Sequence, residues 1–357
     1  MVPPDAPSSP RITVVIPTYN RLPLLQRAVA SALACGAPVR VHVLDNCSTD
    51  GTAAWLASSA VAGDPRIRVT RHPENIGGNA NYAAGLAAVD SEYFIPLADD
   101  DELLPGFFPE ALAIADRHPE LVAVVGAWGL EERGVWRPDW LPQRAVGLLD
   151  RDRHIREFLR HGHYVSWSAI LWRTALVHPA QGFREAQRFG LPADVYFQFR
   201  AFLAGPAYLL PRPAATFTLS DDQASARIGT FPESFRHFGD LAATMRAEVL
   251  AQGVAIPEAE LDALLRATAR GWSALIARNR RQAMGAHPAP DLEACIAAYV
   301  THLMPVAGVT WFPFLDELER QSAQRAAEAP RPLAERAKGL AVRAVRKGLR
   351  MARLLPR

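Results

Sequence analysis

Near the start of the chain stands Ile12-Thr13-Val14-Val15-Ile16-Pro17-Thr18-Tyr19-Asn20, an unbroken β-branched run followed abruptly by polar residues. Successive β-branched residues without polar alternation are typical of a strand that is buried on both faces. The run predicts a strand over Ile12–Ile16 that stops at Pro17. Apolar residues at helical spacing then predict a helix over Leu24–Ala34.

Strand and helix patterns continue to alternate as far as residue 125. Further strands are predicted at Val39–Leu44, Ile67–Thr70, Tyr93–Leu97 and Leu121–Val125. Further helices are predicted at Thr52–Ser59, Asn79–Val89 and Phe107–Arg117. Pro96 favours an edge or a bulge for its strand, because proline cannot donate to a sheet ladder. Crossovers of ten or more residues join parallel strands, so the fold class is α/β, a mostly parallel sheet with helices on both faces.

The remainder of the chain divides by composition. Strands at 165–172 and 207–218 and a helix over Asp194–Leu203 extend the α/β pattern, and from Pro232 the residues are mainly Ala, Leu, Glu and Arg at helical period. The predicted organisation is a disordered lead, an α/β domain, a helical subdomain and a basic amphipathic tail, over residues 1–10, 11–228, 229–332 and 333–357.

Composition excludes several classes of protein. Hydrophobic residues at 49% and charged residues at 21% are typical of soluble globular chains rather than disordered or fibrous ones. The net charge of +2 argues against a general polyanion binder. Cys35, Cys47 and Cys295 have no metal-ligand spacing, and no apolar run reaches the roughly 18–20 residues of a membrane span. We therefore expect a cytoplasmic protein without a zinc site or disulfide framework.

The tail over 333–357 carries eight basic residues against a single acid, Glu335. Its apolar stripe, formed by Val342, Val345, Leu349 and Ala352, lies beside a basic face. Such a helix can rest on an anionic membrane surface, here the inner face, although a solvated or frayed terminal helix has the same composition. Nucleic acid is not an expected partner, because no aromatic residue interleaves the charges.

Polar residues follow three of the predicted strands at the point where each strand ends. Thr18-Tyr19-Asn20 follows the first, Asp45 begins the turn after the second, and Asp99-Asp100-Asp101 follows the fourth. The carboxyl ends of parallel strands meet at one edge of a sheet, where ligands bind. Ser48-Thr49-Asp50-Gly51-Thr52 by itself is a helix start, and Asp45 is either a turn residue or an acceptor for a ligand base.

Asp99-Asp100-Asp101 is the strongest of these signals. At about 5 Å and an effective dielectric of about 20, each pair of neighbouring carboxylates costs roughly 3 kcal/mol of repulsion. A hard divalent cation relieves that repulsion, and oxygen ligands favour Mg²⁺ or Mn²⁺. The alternative is an exposed acidic turn that precedes the next helix.

Taken together, these segments resemble family 2 glycosyltransferases with the GT-A fold. The residues that carry the resemblance, in matching order over about 11–225, are Val15-Ile16-Pro17-Thr18-Tyr19-Asn20-Arg21, Leu44-Asp45-Asn46-Cys47-Ser48-Thr49-Asp50-Gly51-Thr52, Asn75-Ile76-Gly77-Gly78-Asn79-Ala80-Asn81 and Asp99-Asp100-Asp101-Glu102. The resemblance implies a UDP-, dTDP- or GDP-linked sugar donor, a Mn²⁺ or Mg²⁺ cofactor and a glycan or glycolipid acceptor.

The resemblance also implies residue roles. Donor binding falls on Thr18, Tyr19, Asn20, Asp45 (facing the pyrimidine), Asn75, Gly77, Asn81 and Asp99. The family's Asp-x-Asp motif ends at Asp100 but begins at Ala98, so the resemblance places the metal on Asp100 and Asp101, or on Asp100 with Asp99 in the role of the missing first Asp, or mainly on Asp100 alone. The family's catalytic base, from a Glu-Asp pair, falls on Asp194 in Ala193-Asp194.

Asp194 is also a sensible base on local grounds, because the helix dipole stabilises a carboxylate in a first turn; the alternative is a plain helix-start charge. We predict an inverting, metal-dependent glycosyltransferase acting in cell-surface or secondary glycan synthesis. Two alternatives stay open. A degenerate binding or scaffold protein is favoured by Ala98, Ala193 and the lack of an Arg-x-His pair over 217–222. A sugar nucleotidyltransferase is disfavoured, because no glycine-rich phosphate loop follows the first strand.

Overall fold

The structure, a computed structural model, describes residues 10–132, 135–140, 146–161, 166–218, 232–283 and 297–307. The predicted lead, apart from Pro10, and the predicted tail lie outside these ranges. Among the described residues the strands are β1 Ile12–Thr18, β2 Val39–Asp45, β3 Ile67–Arg71, β4 Tyr93–Pro96, β5 Glu102–Leu103, β6 Ala123–Glu132, β7 Val135–Trp140, β8 Gly147–Leu149, β9 Ile170–Arg173 and β10 Ala207–Thr218.

The α-helices are α1 Leu22–Leu33, α2 Thr52–Leu56, α3 Ser59–Ala62, α4 Gly78–Ala87, α5 Phe107–Arg117, α6 Arg151–His161, α7 Thr174–Val177, α8 Pro179–Ala186, α9 Ala193–Leu203, α10 Pro232–Ala251 and α11 Glu258–Ala283. Short 3₁₀ turns cover Trp167–Ala169 and Gln187–Phe189, and a π-helical turn at Tyr299–Leu303 leads into a short helix at Met304–Ala307. In the described ranges no helix combines the length and the apolar character needed to cross a membrane.

The strands form one sheet in the order β3-β2-β1-β4-β9-β6-β10-β5, with β7 paired to β6 and β8 to β10. The first four strands are parallel, β9 is antiparallel to both its neighbours, and β10 is parallel to β6. This arrangement confirms the predicted α/β class. The β1–β2 register pairs Thr18 with Asp45, so two candidate site residues lie side by side where these strands end.

The structure corrects two predictions that rested on proline. β1 continues through Pro17 to Thr18 instead of stopping. The last hydrogen bond between β1 and β4 is accepted by the carbonyl of Val15, two residues before Pro17. Pro17 comes after the end of this pairing, so its lack of an N–H interrupts no hydrogen bond between the two strands. Pro96 does not mark an edge strand, because β4 lies between β1 and β9. The β9 pairing involves only Tyr93 and Phe94, which leaves Pro96 past its end.

Two other elements differ from their predictions. The segment predicted as a strand over 165–172 is a 3₁₀ turn at Trp167–Ala169 followed by β9, and the turn buries Ser168 against an acidic side chain. The helix predicted over Thr52–Ser59 ends at Leu56, because Ser58 adopts extended backbone as the N-cap of α3.

The chain divides into two compact units. The first contains residues 1–155, 163–188 and 193–219, and the second contains 156–162, 189–192 and 220–357. All the candidate site residues belong to the first unit. In the second, α10 and α11 contribute buried apolar residues such as Leu241 and Leu261, which agrees with the helical pattern of the sequence. The predicted boundary at 228/229 falls outside the described residues and stays a prediction.

Candidate active site

The acidic triplet Asp99-Asp100-Asp101 follows β4 and is almost fully buried. The Thr18 hydroxyl donates to Oδ2 of Asp99 at 2.8 Å. Nη1 of Arg21 donates both to Oδ1 of Asp99 at 3.0 Å and to Oδ2 of Asp100 at 2.9 Å. The residues that follow β1 and β4 therefore meet, as expected for the carboxyl ends of neighbouring parallel strands. Arg21 belongs to the first motif, but the sequence indicated no role for it.

The carboxylates of the triplet have different surroundings. Burial raises the pKa of Asp99 to about 6, with Arg21 opposing and Asp100 adding to the shift. Asp101 accepts from the Ser168 hydroxyl at 2.9 Å and from the backbone N–H of Thr218 at 3.2 Å. Burial, followed by the charge of Asp100, raises the pKa of Asp101 well above its ordinary value. Protein groups engage both oxygens of Asp101, as they do for Asp99, and the metal role predicted for Asp101 stays a prediction.

Asp99 and Asp100 share a geometry that suits a cation. One oxygen of each converges on a single cationic nitrogen, so the two side chains are already oriented towards a shared positive charge. Oxygen ligands of this kind suit Mg²⁺ or Mn²⁺. Among the described residues, no group of three or more His, Cys, Asp or Glu side chains forms a ready-made metal cage. A metal role for these residues stays a prediction.

The loops after β1 and β2 are tied to each other. Asn20 has a left-handed backbone with φ of 54°; its N–H donates to the Ser48 hydroxyl at 2.9 Å, and its Oδ1 accepts from the N–H of Thr49 at 2.7 Å. Asn20 therefore holds the loops together through its side chain. The neighbouring Tyr19 is 44% exposed, which leaves its ring open to a ligand.

Asp45 is fully buried and bound by a cation that the sequence analysis missed. Its Oδ2 accepts from Nη1 of Arg71 at 2.6 Å, and its Oδ1 accepts from the N–H of Ser48 at 2.9 Å. Arg71 also donates to the Ser48 carbonyl at 3.0 Å. Arg71 is the last residue of β3 and directly follows the predicted strand Ile67–Thr70. A polar residue at the end of a strand was therefore the sequence signal that could have identified it.

The three candidate residues of the Asn75–Asn81 motif make different hydrogen bonds. Oδ1 of Asn75 accepts from Nδ2 of Asn46 at 2.8 Å and from the N–H of Gly77 at 2.9 Å. Asn75 and Gly77 thus shape an exposed loop. Asn81 is buried: it donates to the Leu44 carbonyl and accepts from Nε2 of His72, both at 2.9 Å. Asn81 therefore fastens α4 to β2.

Asp194 lies in the first turn of α9 and is partly exposed, whereas the adjacent Val195 is buried. The pKa of Tyr82 on α4 responds to the charges of both Asp194 and the triplet. Burial raises the pKa of the Tyr82 phenol well above its ordinary value, and the charges of Asp99, Asp100, Asp101 and Asp194 add to that shift. The charges of Asp194 and of the triplet therefore act on the same side chain.

Tyr82 is the third residue that sequence reasoning missed. Its ring packs against Trp167 with centroids 4.6 Å apart and against Phe183 at 6.1 Å. No spacing or charge pattern distinguishes this tyrosine from an ordinary core aromatic, so no sequence signal could have identified it.

Comparison with known proteins decides the family. Residues 13–176 match the profile described as glycosyl transferase family 2. The chain belongs to this family. An uncharacterized Mycobacterium tuberculosis protein, MT1568, is 30% identical over 234 residues, which cover 59% of this chain and 70% of that protein.

Other relatives in the comparison have named roles. The succinoglycan biosynthesis protein ExoO of Rhizobium meliloti is 34% identical over 125 residues, 35% of each chain. The undecaprenyl-phosphate 4-deoxy-4-formamido-L-arabinose transferase of Salmonella paratyphi A is 29% identical over 125 residues, 34% of this chain and 38% of that enzyme. The match thus spans little more than a third of the length of either.

Among solved structures, Staphylococcus aureus TarS 1-349 in complex with UDP-GlcNAc has a TM-score of 0.54 and 16% identity, and covers 84% of this chain and 90% of TarS 1-349. At that identity the likeness concerns the fold, and it confirms the predicted GT-A architecture. The family 2 chain departs from the expected motifs at Ala98 and Ala193, and the stretch expected to hold Arg-x-His runs from Phe217 out of the described residues.

Proposed function

We propose that this family 2 chain is an inverting glycosyltransferase that moves a sugar from a nucleotide sugar to an acceptor hydroxyl. The observation that carries the proposal is the set of bonds from Thr18 and Arg21 to Asp99 and Asp100, which join the ends of β1 and β4 at the ligand-binding edge of the sheet. UDP is the favoured donor nucleotide, supported by the UDP and UDP-GlcNAc bound to TarS; dTDP and GDP are the alternatives.

The donor nucleotide would lie along the ends of β1, β2 and β3. The exposed ring of Tyr19 offers a stacking surface for a base. The Asp45–Arg71 pair offers a polar edge with both acceptor and donor character. An acceptor from glycan or glycolipid synthesis is supported by the names of ExoO, a succinoglycan biosynthesis protein, and of the Salmonella undecaprenyl-phosphate transferase.

Asp194 would act as the base. Its place in the first turn of α9 stabilises its negative charge, which suits a group that accepts a proton from the attacking acceptor hydroxyl. That hydroxyl oxygen forms a bond to the anomeric carbon from the face opposite the diphosphate, whose bond to the same carbon breaks. A single displacement of this kind inverts the configuration.

Asp99 and Asp100 would hold Mn²⁺ or Mg²⁺, while Asp101 anchors the triplet through Ser168 and Thr218. When bound, such an ion offsets the charge that develops on the leaving diphosphate. Thr18 keeps Asp99 in position through its hydroxyl.

A thermal-shift panel of UDP, dTDP, GDP and CMP, each with and without Mn²⁺, tests the proposal. A nucleotide at a hundredfold excess over its dissociation constant stabilises the native state by about 2.7 kcal/mol. We expect a Mn²⁺-dependent rise in melting temperature with one nucleoside diphosphate, lost in Asp100→Ala. Asp90→Asn, which removes an exposed carboxylate paired with Arg40, is the matched control and should behave as wild type.

A nucleotide-free scaffold is the second candidate. It is favoured by Ala98 and Ala193 and by the presence of Arg21 on the carboxylates that a metal would need. No shift with any nucleotide, in protein with a normal melting transition, would establish this candidate in place of the transferase.

A further inference from the structure

We propose that Arg21 is a built-in counterion that occupies the carboxylates of Asp99 and Asp100 until a divalent ion and the donor diphosphate arrive together. Arg21 would thereby make metal binding depend on the nucleotide. This inference rests on the proposed function, because it assigns Arg21 a role at the same donor site.

The placement of Arg21 supports this role. It immediately precedes α1 and follows the left-handed Asn20, and its side chain reaches across to the triplet. The Arg21 side chain is 21% exposed, against 9% for Asp99 and 7% for Asp100. The Arg21 side chain is therefore the most exposed of the three, and it contacts two nearly buried carboxylates.

The bonding pattern makes Arg21 a direct competitor of a metal. A single nitrogen, Nη1, lies within 3.0 Å of an oxygen from each carboxylate. The charges of Asp99 and Asp100 outweigh the opposing effect of burial and raise the pKa of Arg21, so the group is a permanent cation. A divalent ion that takes these same two oxygens, Oδ1 of Asp99 and Oδ2 of Asp100, displaces this cation.

The free-energy cost of displacing Arg21 is the reason to expect that metal binding and donor binding are coupled. A divalent ion arriving alone would strip a partly buried guanidinium of two charged partners, which is unfavourable. A donor diphosphate supplies new anionic oxygens, and guanidinium pairs with phosphate through two parallel hydrogen bonds. Metal and donor should therefore bind with positive coupling, and linkage makes the effect reciprocal.

The chain supplies a matched control on the same helix. Arg27 on α1 pairs with Glu102, the residue directly after the triplet, and its side chain is exposed. Arg27→Gln removes the same charge from the same surface as Arg21→Gln. It leaves the Arg21 bonds to Asp99 and Asp100 in place.

The experiment measures Mn²⁺ binding to the full chain by electron paramagnetic resonance, with and without UDP. In wild type we expect UDP to tighten Mn²⁺ binding about tenfold or more, within the usual range of coupling between sites. In Arg21→Gln we expect Mn²⁺ alone to bind about tenfold more tightly than in wild type, because a charge-assisted bond no longer has to break. The UDP effect should fall to about threefold or less, and Arg27→Gln should match wild type.

Circular dichroism checks that Arg21→Gln is folded. Should it not fold, Arg21→Lys keeps the positive charge but loses the planar fork, and Mn²⁺ alone should then bind about threefold more tightly than in wild type. Unchanged or weaker Mn²⁺ binding in a folded Arg21 variant, with wild type still binding UDP and Mn²⁺, overturns the counterion role and leaves the transferase proposal intact. Wild type that binds no Mn²⁺ and none of UDP, dTDP and GDP overturns the proposed function, and the counterion role with it.

Discussion

In the proposed mechanism the carboxylate of Asp194 accepts the proton of the acceptor hydroxyl. The substitution Asp194→Asn tests this role. The amide keeps the size of the side chain but cannot accept the proton, so we expect the turnover number to fall about 10²- to 10⁴-fold. The UDP- and Mn²⁺-dependent rise in melting temperature should be retained. Turnover by the variant at the wild-type rate would remove Asp194 from the mechanism.

His42 predicts how stability depends on pH. It is buried in β2, where its Nε2 shares a 2.9 Å hydrogen bond with the Thr70 hydroxyl. Burial, followed by the charges of Arg68 and Arg40, lowers the pKa of His42 to about 4. The unfolded chain takes up this proton near pH 6.5 and the folded chain only near 4, so stability falls as the pH drops through that window, by about 3 kcal/mol at most.

Urea unfolding at pH 7 and pH 4.5 measures this contribution. His42→Gln should lose about 2–3 kcal/mol less stability than wild type between the two pH values, because its proton uptake is gone. His118→Gln, which removes a histidine at the surface beside Glu120, is the control. Equal acid sensitivity in His42→Gln and wild type would contradict the assignment. Buried His154, with its pKa lowered to about 3 by burial, contributes in the same direction and remains in both proteins.

At the scale of the element, α4 packs directly on the sheet through Gly85. A β-carbon at this position would overlap Val15 of β1 and lie 2.6 Å from Cδ1 of Leu44 in β2. Gly85→Ala should therefore lower the free energy of unfolding by about 1–3 kcal/mol through overpacking. Gly78→Ala, in the same helix but with open space around the new carbon, should be neutral or stabilising by up to about 1 kcal/mol. A similar effect of both substitutions on urea unfolding would contradict close packing of α4.

Another interaction at this scale joins distant segments. Asp101 is bound by Ser168 from the 3₁₀ turn before β9 and by Thr218 from the end of β10. These partners lie 67 and 117 residues away along the chain. The triplet is thus held in place by the second half of the sheet, which explains why one of its carboxylates is committed to structure.

At the scale of the whole molecule, the basic tail over 333–357 predicts contact with anionic membranes. Each basic residue near such a surface contributes about 1 kcal/mol, and salt weakens the attraction. The full chain should co-sediment with vesicles containing anionic lipid but not with neutral vesicles, and a chain lacking 333–357 should lose this binding while keeping its nucleotide-dependent thermal shift. Unchanged vesicle binding after the deletion would exclude the tail as the contact.

Much of the site could be predicted because strand ends are local features of a sequence. The runs that end at Thr18, Asp45 and Asp99 place polar residues at one edge of a parallel sheet, and the structure brings them there. The proline predictions were less successful. Whether Pro17 or Pro96 interrupts a ladder depends on where the neighbouring strand ends, and no local pattern contains that information.

The sequence by itself determined the family, the α/β alternation and the edge of the sheet where chemistry collects, because each follows from short-range periodicity and from motifs read in order. Only the tertiary structure decided that Arg21 bridges two carboxylates, that Arg71 binds Asp45, and that the charges of four acids act on Tyr82. The physical reason is that these contacts join side chains far apart in the chain. Their partners are chosen by strand register and side-chain direction, which exist only once the sheet has formed.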